Sequence, residues 1–363
     1  MKYLVPEYYD QFKCKCGECR HSCCDGWPIR ISMKEYYHLL GIRCSDSLRR
    51  KLDCALNLCH EPGKEGYAQL SANWLGLCML QRDDGLCALQ MELGDSLLPQ
   101  VCKLYPRSSK QLTTINQGAC SNSCEGVIEL LMQFIDPLKF EERDLLITPE
   151  FKLNLTAKEQ ETCKESILIM QNRNYSLPDR FLLLGNHLNA KDFYSEIPSN
   201  RNQAFLILNV LNQYFINSSI SEYCLLTQEY FNLEGKKLLH EAEISIIYSK
   251  YQLAKKHLEV ILPDWQTLFE QLVVNHMFYN SFPYIDNHNR IVDSYLSLTL
   301  MYSFLRFNLL VFMANKTDSK DLVDFLSAIF RIIEHSNFKS IIAGLFKSND
   351  FHILNCVPQL VYI

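Results

Sequence analysis

From about residue 124 onward, hydrophobic residues return at three- and four-residue steps, the spacing that puts them on one face of a helix. Val127, Ile128, Leu130, Leu131, Phe134 and Ile135 form one such stripe, closed by Asp136-Pro137. Phe205, Leu206, Leu208, Leu211 and Phe215 predict a helix over Asn202 to Asn217, and Trp265, Leu268, Phe269, Leu272, Val273 and Met277 predict another over Asp264 to Tyr279. Pro263 suits the first turn of the latter, where a missing amide hydrogen costs nothing. Asp318 is placed to cap a helix over Lys320 to Glu334, whose Leu322, Phe325, Leu326, Ile329 and Ile333 share a face. Leu296 to Ala314 is apolar over about the length of a membrane span, but Arg306, Asn308 and several hydroxyls predict a buried helix. Before residue 124 the pattern breaks into short pieces, with helices expected over Met33 to Leu40 and Ser47 to Leu58. The polar stretch from Lys139 to Thr156 reads as a join, with Leu145, Leu146 and Ile147 as a possible short strand. No repeat of 20 to 50 residues is evident.

The chain of 363 residues is 48% hydrophobic, enough for two or three domains with buried cores. A formal net charge of -5 and the lack of any long basic run exclude a phosphate-tracking surface, so no nucleic-acid partner is expected. Only 13 glycines occur, and neither G-x-G-x-x-G nor G-x-x-x-x-G-K is present. A phosphate-cradling nucleotide site and an ordinary Rossmann-type methyltransferase both lose their signature.

Thirteen of the 16 cysteines fall within the first 124 residues, at 14, 16, 19, 23, 24, 44, 54, 59, 78, 87, 102, 120 and 124. The first residues have no apolar core or small-residue cleavage site of a secretory leader, so a reducing cytoplasm is the expectation. In that compartment crowded thiols more often hold metal or act chemically than form bridges. The neighbours Cys23 and Cys24 also fit a disulfide framework poorly, since adjacent cysteines bridge each other only with strain. Disulfides and inert buried thiols remain the alternatives. Thiolates hold zinc or an iron–sulfur cluster equally well, and spacing does not separate the two. Paired C-x-x-C zinc-ribbon spacing is missing. The C-x-x-x-C-x-x-C loop of radical S-adenosylmethionine enzymes is also absent, since Cys19 and Cys23 are followed by Gly26. The architecture predicted is mainly α, a cysteine-rich metal or iron–sulfur cluster domain over residues 1–138 followed by an all-α helical domain over 139–363.

Several segments resemble one known family. Phe12-Lys13-Cys14, Cys19, Cys23-Cys24-Asp25-Gly26-Trp27 and Ile29-Arg30-Ile31 look like the opening of flagellin lysine-N-methylases. Cys78-Met79-Leu80, Asp84-Gly85-Leu86-Cys87-Ala88-Leu89, Leu98-Pro99-Gln100-Val101-Cys102-Lys103-Leu104-Tyr105-Pro106-Arg107 and Ser121-Asn122-Ser123-Cys124 continue it. Leu272 to Met277 through Phe282-Pro283, the helix around Leu305-Arg306 and Arg331 to His335 are similar to that family's later segments. A broader group of zinc- or iron-chelating cysteine-cluster proteins shares the same cysteine grammar. Cys14, Cys19, Cys23, Cys24, Cys78, Cys87, Cys102 and Cys124 match the pattern and are the implied metal ligands. Cys16, Cys44, Cys54, Cys59 and Cys120 look like extras. Where the family carries an acidic residue after the Ile-x-Ile segment, this chain has Ser32.

The resemblance implies a cytoplasmic protein-lysine N-methyltransferase. It would use S-adenosylmethionine on flagellin and carry a Cys-ligated iron–sulfur cluster, of 4Fe-4S type with zinc as the alternative, as a structural staple, an electron donor for radical chemistry or a redox sensor. No stable membrane insertion is expected. Lysine must be neutral to attack, and an unperturbed pKa of about 10.4 opposes this by roughly 4 kcal/mol near neutral pH. An apolar, tyrosine-lined pocket with one carboxylate would serve. No catalytic residue is readable. Arg107, Asn275 and Arg306 are the candidates for holding the cofactor, with an exposed arginine as the plainer reading of the first and a buried ion pair with a structural aspartate or glutamate as that of the last. His276 reads as a satisfied core or surface histidine and His335 as a charge at a helix C-terminus. A non-enzymatic iron- or zinc-binding redox or interaction module is the rival reading of the whole chain.

Overall fold

The computed structural model describes the chain apart from residues 26–28, 65, 148, 150, 191–200, 286–289 and 349–352, so Gly26 and Trp27 of the first cysteine segment lie outside the described residues. The chain is mainly helical and divides into two compact units that interleave in sequence. One comprises Phe12–Arg107 with Cys124–Gly126, the other Met1–Gln11, Ser108–Ser123 and Val127–Ile363. The sequence reading drew one boundary after residue 138, whereas the first strand and the stretch from Ser108 belong with the helices.

The strands are β1 (Lys2–Pro6), β2 (Ile29–Ile31), β3 (Leu56–Leu58), β4 (Ala68–Leu70), β5 (Arg107–Gln111), β6 (Asn116–Cys120), β7 (Phe140–Asp144) and β8 (Phe151–Lys152). In the cysteine-rich unit β2, β4 and β3 form a small antiparallel sheet with β4 at its centre. Ile29, Ile31, Ala68 and Leu70 turn inward from it onto Leu39, Leu48, Leu52 and Leu89. Ser32 ends β2 and starts the helix Met33–Gly41 through a capping box with Glu35, each satisfying the other's orphan amide. The next helix runs Asp46–Ala55 and stops three residues short of the expected Leu58. There the Asn57 side-chain amide donates to the Cys54 and Ala55 carbonyls, and the chain becomes β3.

The larger unit is not all-α, because it carries a five-stranded sheet in the order β7-β1-β6-β5-β8. β1 runs parallel to β6 and antiparallel to β7. The strand proposed at Leu145 to Ile147 is absent, and Phe140–Asp144 pairs instead, with charged side chains along an exposed sheet edge. The expected helices lie over Glu125–Leu131, Arg201–Phe215, Trp265–Asn280, Ile291–Phe312 and Ser319–His335. Asp264 occupies the N-cap position of the third without a side-chain capping bond, so Pro263 stands outside that helix and not in its first turn. Ile291–Phe312 is long and apolar enough to cross a membrane, yet 94% of its most apolar stretch is buried inside the protein. Phe307 on this helix stacks on Phe231 with ring centroids 4.9 Å apart, and Tyr302 stacks on Phe181 at 4.6 Å.

Candidate thiolate centre and buried polar network

Three tight turns bring distant cysteines to one place in the cysteine-rich unit. The Cys78 amide donates to the Cys24 carbonyl at 2.8 Å, joining the first cysteine segment to the second. The turn before Cys78 is fixed by Asn73, whose side-chain oxygen accepts from the Leu75 and Leu77 amides, and by Gly76 at φ +85°. Gly85 at φ +78° turns the chain again, and Cys87 follows as the N-cap residue of the helix Ala88–Leu93. Cys102 comes from the short helix Gln100–Leu104. Its first amide donates to the Glu35 carboxylate at 2.6 Å, so the Ser32 capping box also anchors this helix.

Cys23, Cys24, Cys78, Cys87 and Cys102 thereby line a single cavity of about 80 Å³, walled otherwise by apolar side chains such as Leu80 and Val101. Burial pushes the Cys78 thiol up to about 11, raises Cys87, and holds Cys102 well above its ordinary value. Cys23 is raised first by its hydrogen bond with Cys24 and then by burial. Desolvation disfavours thiolates here, and a cation placed among them reverses that balance. Among the described residues no three Cys, His, Asp or Glu side chains stand at the spacing of ligands round one ion. The five thiols line one space, and thiolates can hold zinc or an iron–sulfur cluster.

The other matching cysteines lie elsewhere in the same unit. Cys14 and Cys19 flank the 3-10 turn Cys16–Glu18, and the Cys16 amide donates to the Cys14 sulfur at 3.3 Å. Glu125 holds this loop against Cys124: its buried carboxylate pairs with the Lys15 ammonium at 3.4 Å and accepts from the Arg20 and His21 amides. Burial, then the neighbouring Glu125, Cys124 and Cys14, push the Cys19 thiol up to about 12. All sixteen cysteines are free thiols, and Cys120, Cys224 and Cys356 are buried in the helical unit.

A second constellation lies in the larger unit. Ser121 Oγ bonds to Ser123 Oγ and donates to Glu334 Oε2, while Glu334 Oε1 meets His276 Nδ1 at 2.8 Å. Ser123 Oγ stands 2.8 Å from His335 Nε2. Tyr8 donates to the Asn275 side-chain oxygen, and the Asn275 amide donates to the Cys120 carbonyl and to Asn122. Burial raises the Tyr8 phenol well above its ordinary value, and lowers the His335 imidazole below its own. His335 stands in the last turn of its helix, as expected, and is half-buried and hydrogen-bonded to a serine. His276 is satisfied by Glu334 and Asn280, as the sequence reading had it. Glu334, whose side chain is fully buried, is the carboxylate that sequence reasoning missed. It sits in a quoted segment, but one more glutamate near the end of an amphipathic helix looks like a solvated charge.

The three cofactor candidates fare differently. Asn275 spends both amide hydrogens inside the protein. Arg107 lies over the Phe12 ring and donates to the Phe12 carbonyl at 3.0 Å. Arg306 is buried, donating to the Tyr302 hydroxyl at 2.6 Å with its guanidinium over the Tyr302 and Trp265 rings. Among the described residues no aspartate or glutamate pairs with it, so the expected anionic partner is replaced by the phenol groups of Tyr302 and Tyr251 beside the guanidinium. Its Nε and Nη2 have no hydrogen-bond partner among the described residues.

Residues 186–357 match the family model described as the FliB lysine N-methylase C-terminal domain. The region matched contains Asn275, His276, Arg306, Glu334 and His335. Curated relatives include the lysine-N-methylases of Salmonella typhimurium, 23% identical over 141 residues, and of Salmonella choleraesuis, 25% identical over the same length. Each of these alignments covers 39% of this chain and 35% of the relative. The flagellar biosynthetic protein FliU of Salmonella muenchen is 23% identical over 138 residues, 38% of this chain and 81% of that protein. The chain thus spans about a third of the length of the lysine-N-methylases it matches. No solved structure matches. The resemblance to flagellin lysine-N-methylases read from the sequence is borne out by the family model and the relatives.

Proposed function

We propose that this relative of the lysine-N-methylases transfers methyl groups from S-adenosylmethionine to lysine side chains of flagellin in the cytoplasm, and that its cysteines carry an iron–sulfur cluster. The match of residues 186–357 to the FliB lysine N-methylase C-terminal domain carries the reading, because the same region holds the buried carboxylate that lysine chemistry needs.

The reaction's first demand is a neutral amine. Glu334, backed by His276 and by the hydroxyl of Ser121, is the group to which the lysine proton would pass, and His335 beside Ser123 extends the same network. Burial of these groups disfavours a charged ammonium at the same time. Arg306 suits the cofactor's carboxylate, since two of its guanidinium nitrogens are buried and unpartnered. S-adenosylmethionine supplies an electrophilic methyl group, which direct transfer to nitrogen can use without a metal. The thiolate cluster then serves best as a structural staple. Cys78 lies within the hydrophobic core of its unit, and Cys24, Cys87 and Cys102 pack against it, so a cluster there is part of that core.

The test is mass spectrometry of flagellin co-expressed with this protein. Lysine-containing peptides are expected to gain methyl increments. Glu334→Gln should reduce them by about 10²-fold or more, the scale of a lost general base, while leaving bound iron unchanged. Unmodified flagellin in the presence of well-folded, iron-loaded protein would overturn the proposal.

A further inference from the structure

The Glu334 side chain is fully buried, so a proton taken up there has no direct way into solvent. A base that accepts a proton in one turnover must lose it before the next. Each carboxylate oxygen leads to a different set of side chains. On one side Oε1 meets His276 Nδ1 at 2.8 Å, and the Asn280 amide nitrogen lies 3.2 Å and 3.3 Å from the two ring nitrogens of that histidine. An amide NH2 takes up no proton, so this branch orients the carboxylate and goes no further.

The other side continues. Oε2 accepts from the Ser121 hydroxyl, Ser121 Oγ lies 2.5 Å from Ser123 Oγ, and Ser123 Oγ lies 2.8 Å from His335 Nε2. Every link is within reach of direct proton transfer. A hydroxyl carries one donor hydrogen and accepting lone pairs, so it receives a proton on one side, gives one up on the other and stays neutral. The bend bearing both serines follows β6 and is held from the side. Asn122, between them, donates to the Leu272 carbonyl at 2.9 Å and accepts from the Asn275 amide, and the Ser123 amide donates to Ser121 Oγ at 3.1 Å. Both serines are buried, whereas His335 is half-buried in the last turn of its helix. The chain of hydrogen bonds thus runs from a carboxylate sealed off from water to an imidazole nearer the surface.

We propose that Ser121, Ser123 and His335 form a relay that carries the proton received by Glu334 out of the buried site and resets it for the next methyl transfer. Protonated Glu334 passes its Oε2 proton to Ser121 Oγ as Ser121 passes its own to Ser123 Oγ and Ser123 its own to His335 Nε2. Three O–H bonds break while two O–H bonds and one N–H bond form, leaving a carboxylate and an imidazolium with no redox change. His335 then releases a proton to solvent, and the hydroxyls rotate back. The hydrogen bond from Ser121 to Glu334 has the direction that the completed transfer leaves. Ser123 and His335 act through Glu334 and touch no substrate. The relay rests on the reading that Glu334 receives the lysine proton, and the experiment separates the two.

Methyl transfer to flagellin by the full chain is timed in a single turnover, with the protein in excess, and then over many turnovers. Ser123→Ala and His335→Ala should keep the wild-type rate in the first turnover and lose about tenfold or more of the steady rate, whereas Glu334→Gln should slow the first turnover itself. Added imidazole should restore the steady rate of His335→Ala and leave Ser123→Ala slow. Wild-type steady turnover in Ser123→Ala overturns the relay and leaves the role of Glu334 intact, and a loss seen only in His276→Gln sends the proton by the other branch. Equal losses in the first and later turnovers make Ser123 a support for the carboxylate and overturn the relay as well. No methylation by the wild-type chain overturns the reading of Glu334 and the relay with it. Should Ser123→Ala fail to fold, the half-buried His335 variant and its response to imidazole decide the matter.

Discussion

At the scale of single residues, the sharpest departure from ordinary protein chemistry is Arg306. A guanidinium 3% exposed, with phenols and an indole for company and two nitrogens unpartnered, carries a desolvation cost that its surroundings offset only in part. Two effects of opposite sign follow for Arg306→Met. Without ligand, the variant should melt no lower than the wild type, because an uncompensated buried charge has been replaced by an apolar chain of similar length. With S-adenosylmethionine, calorimetric titration should show affinity weakened by about tenfold or more, the worth of a charge-assisted hydrogen bond of roughly 1.5–3 kcal/mol. A variant that melts lower and binds the cofactor normally would make Arg306 a core residue and nothing else. Arg306 was visible in the sequence as an arginine inside an apolar helix. Its lack of a carboxylate partner was not, because that depends on which side chains neighbouring helices bring to it.

At the scale of elements, Ser32 ties two helices of the cysteine-rich unit together. Serine and aspartate are both strong N-caps, and Ser32 starts the helix Met33–Gly41. The cap does more than start a helix, since the same Glu35 carboxylate that closes the capping box receives the Gln100 amide at the head of the Cys102 helix. Ser32→Ala should cost about 1 kcal/mol in the stability of the cysteine-rich unit and speed metal loss to a chelator, while Ser32→Asp should do neither. Equal metal retention in both variants would detach the cap from the cavity. Helices with four or more apolar residues on one face, such as Trp265–Asn280 and Ser319–His335, were legible because periodicity survives any tertiary context. The strands were not. β5 reads Arg-Ser-Ser-Lys-Gln and β7 reads Phe-Glu-Glu-Arg-Asp, and neither shows the alternation of a half-buried strand. Their pairing is set by partners distant in sequence, as when Lys2 to Pro6 meets Phe140 to Asp144. The cysteines were legible as a set and illegible as groups, since the cavity's thiols are gathered by turns such as those at Gly76 and Gly85, which bring Cys78 and Cys87 beside Cys24 and Cys102.

At the scale of the whole molecule, the two units should depend on metal to different degrees. The cysteine-rich unit has a core of few large side chains, with only three-residue strands and short helices, and several of the side chains packed on that core are the cavity thiols themselves. Small domains of this kind gain much of their folding free energy from bound metal. The helical unit buries Phe205, Phe231, Phe269, Phe304 and Phe307 together with several tyrosines, and needs no such help. Hydrogen exchange after treatment with an iron chelator under reducing conditions should therefore lose protection over Phe12–Arg107, while the helices Trp265–Asn280 and Ile291–Phe312 keep theirs. Uniform loss along the chain would mean that the units unfold as one, and the metal would then sustain the methylation site as well as its own domain. Selective loss, with methyl transfer also abolished, would assign the cavity thiols a part in presenting the substrate or in gating the reaction. Selective loss with transfer intact would confine them to holding their own unit together.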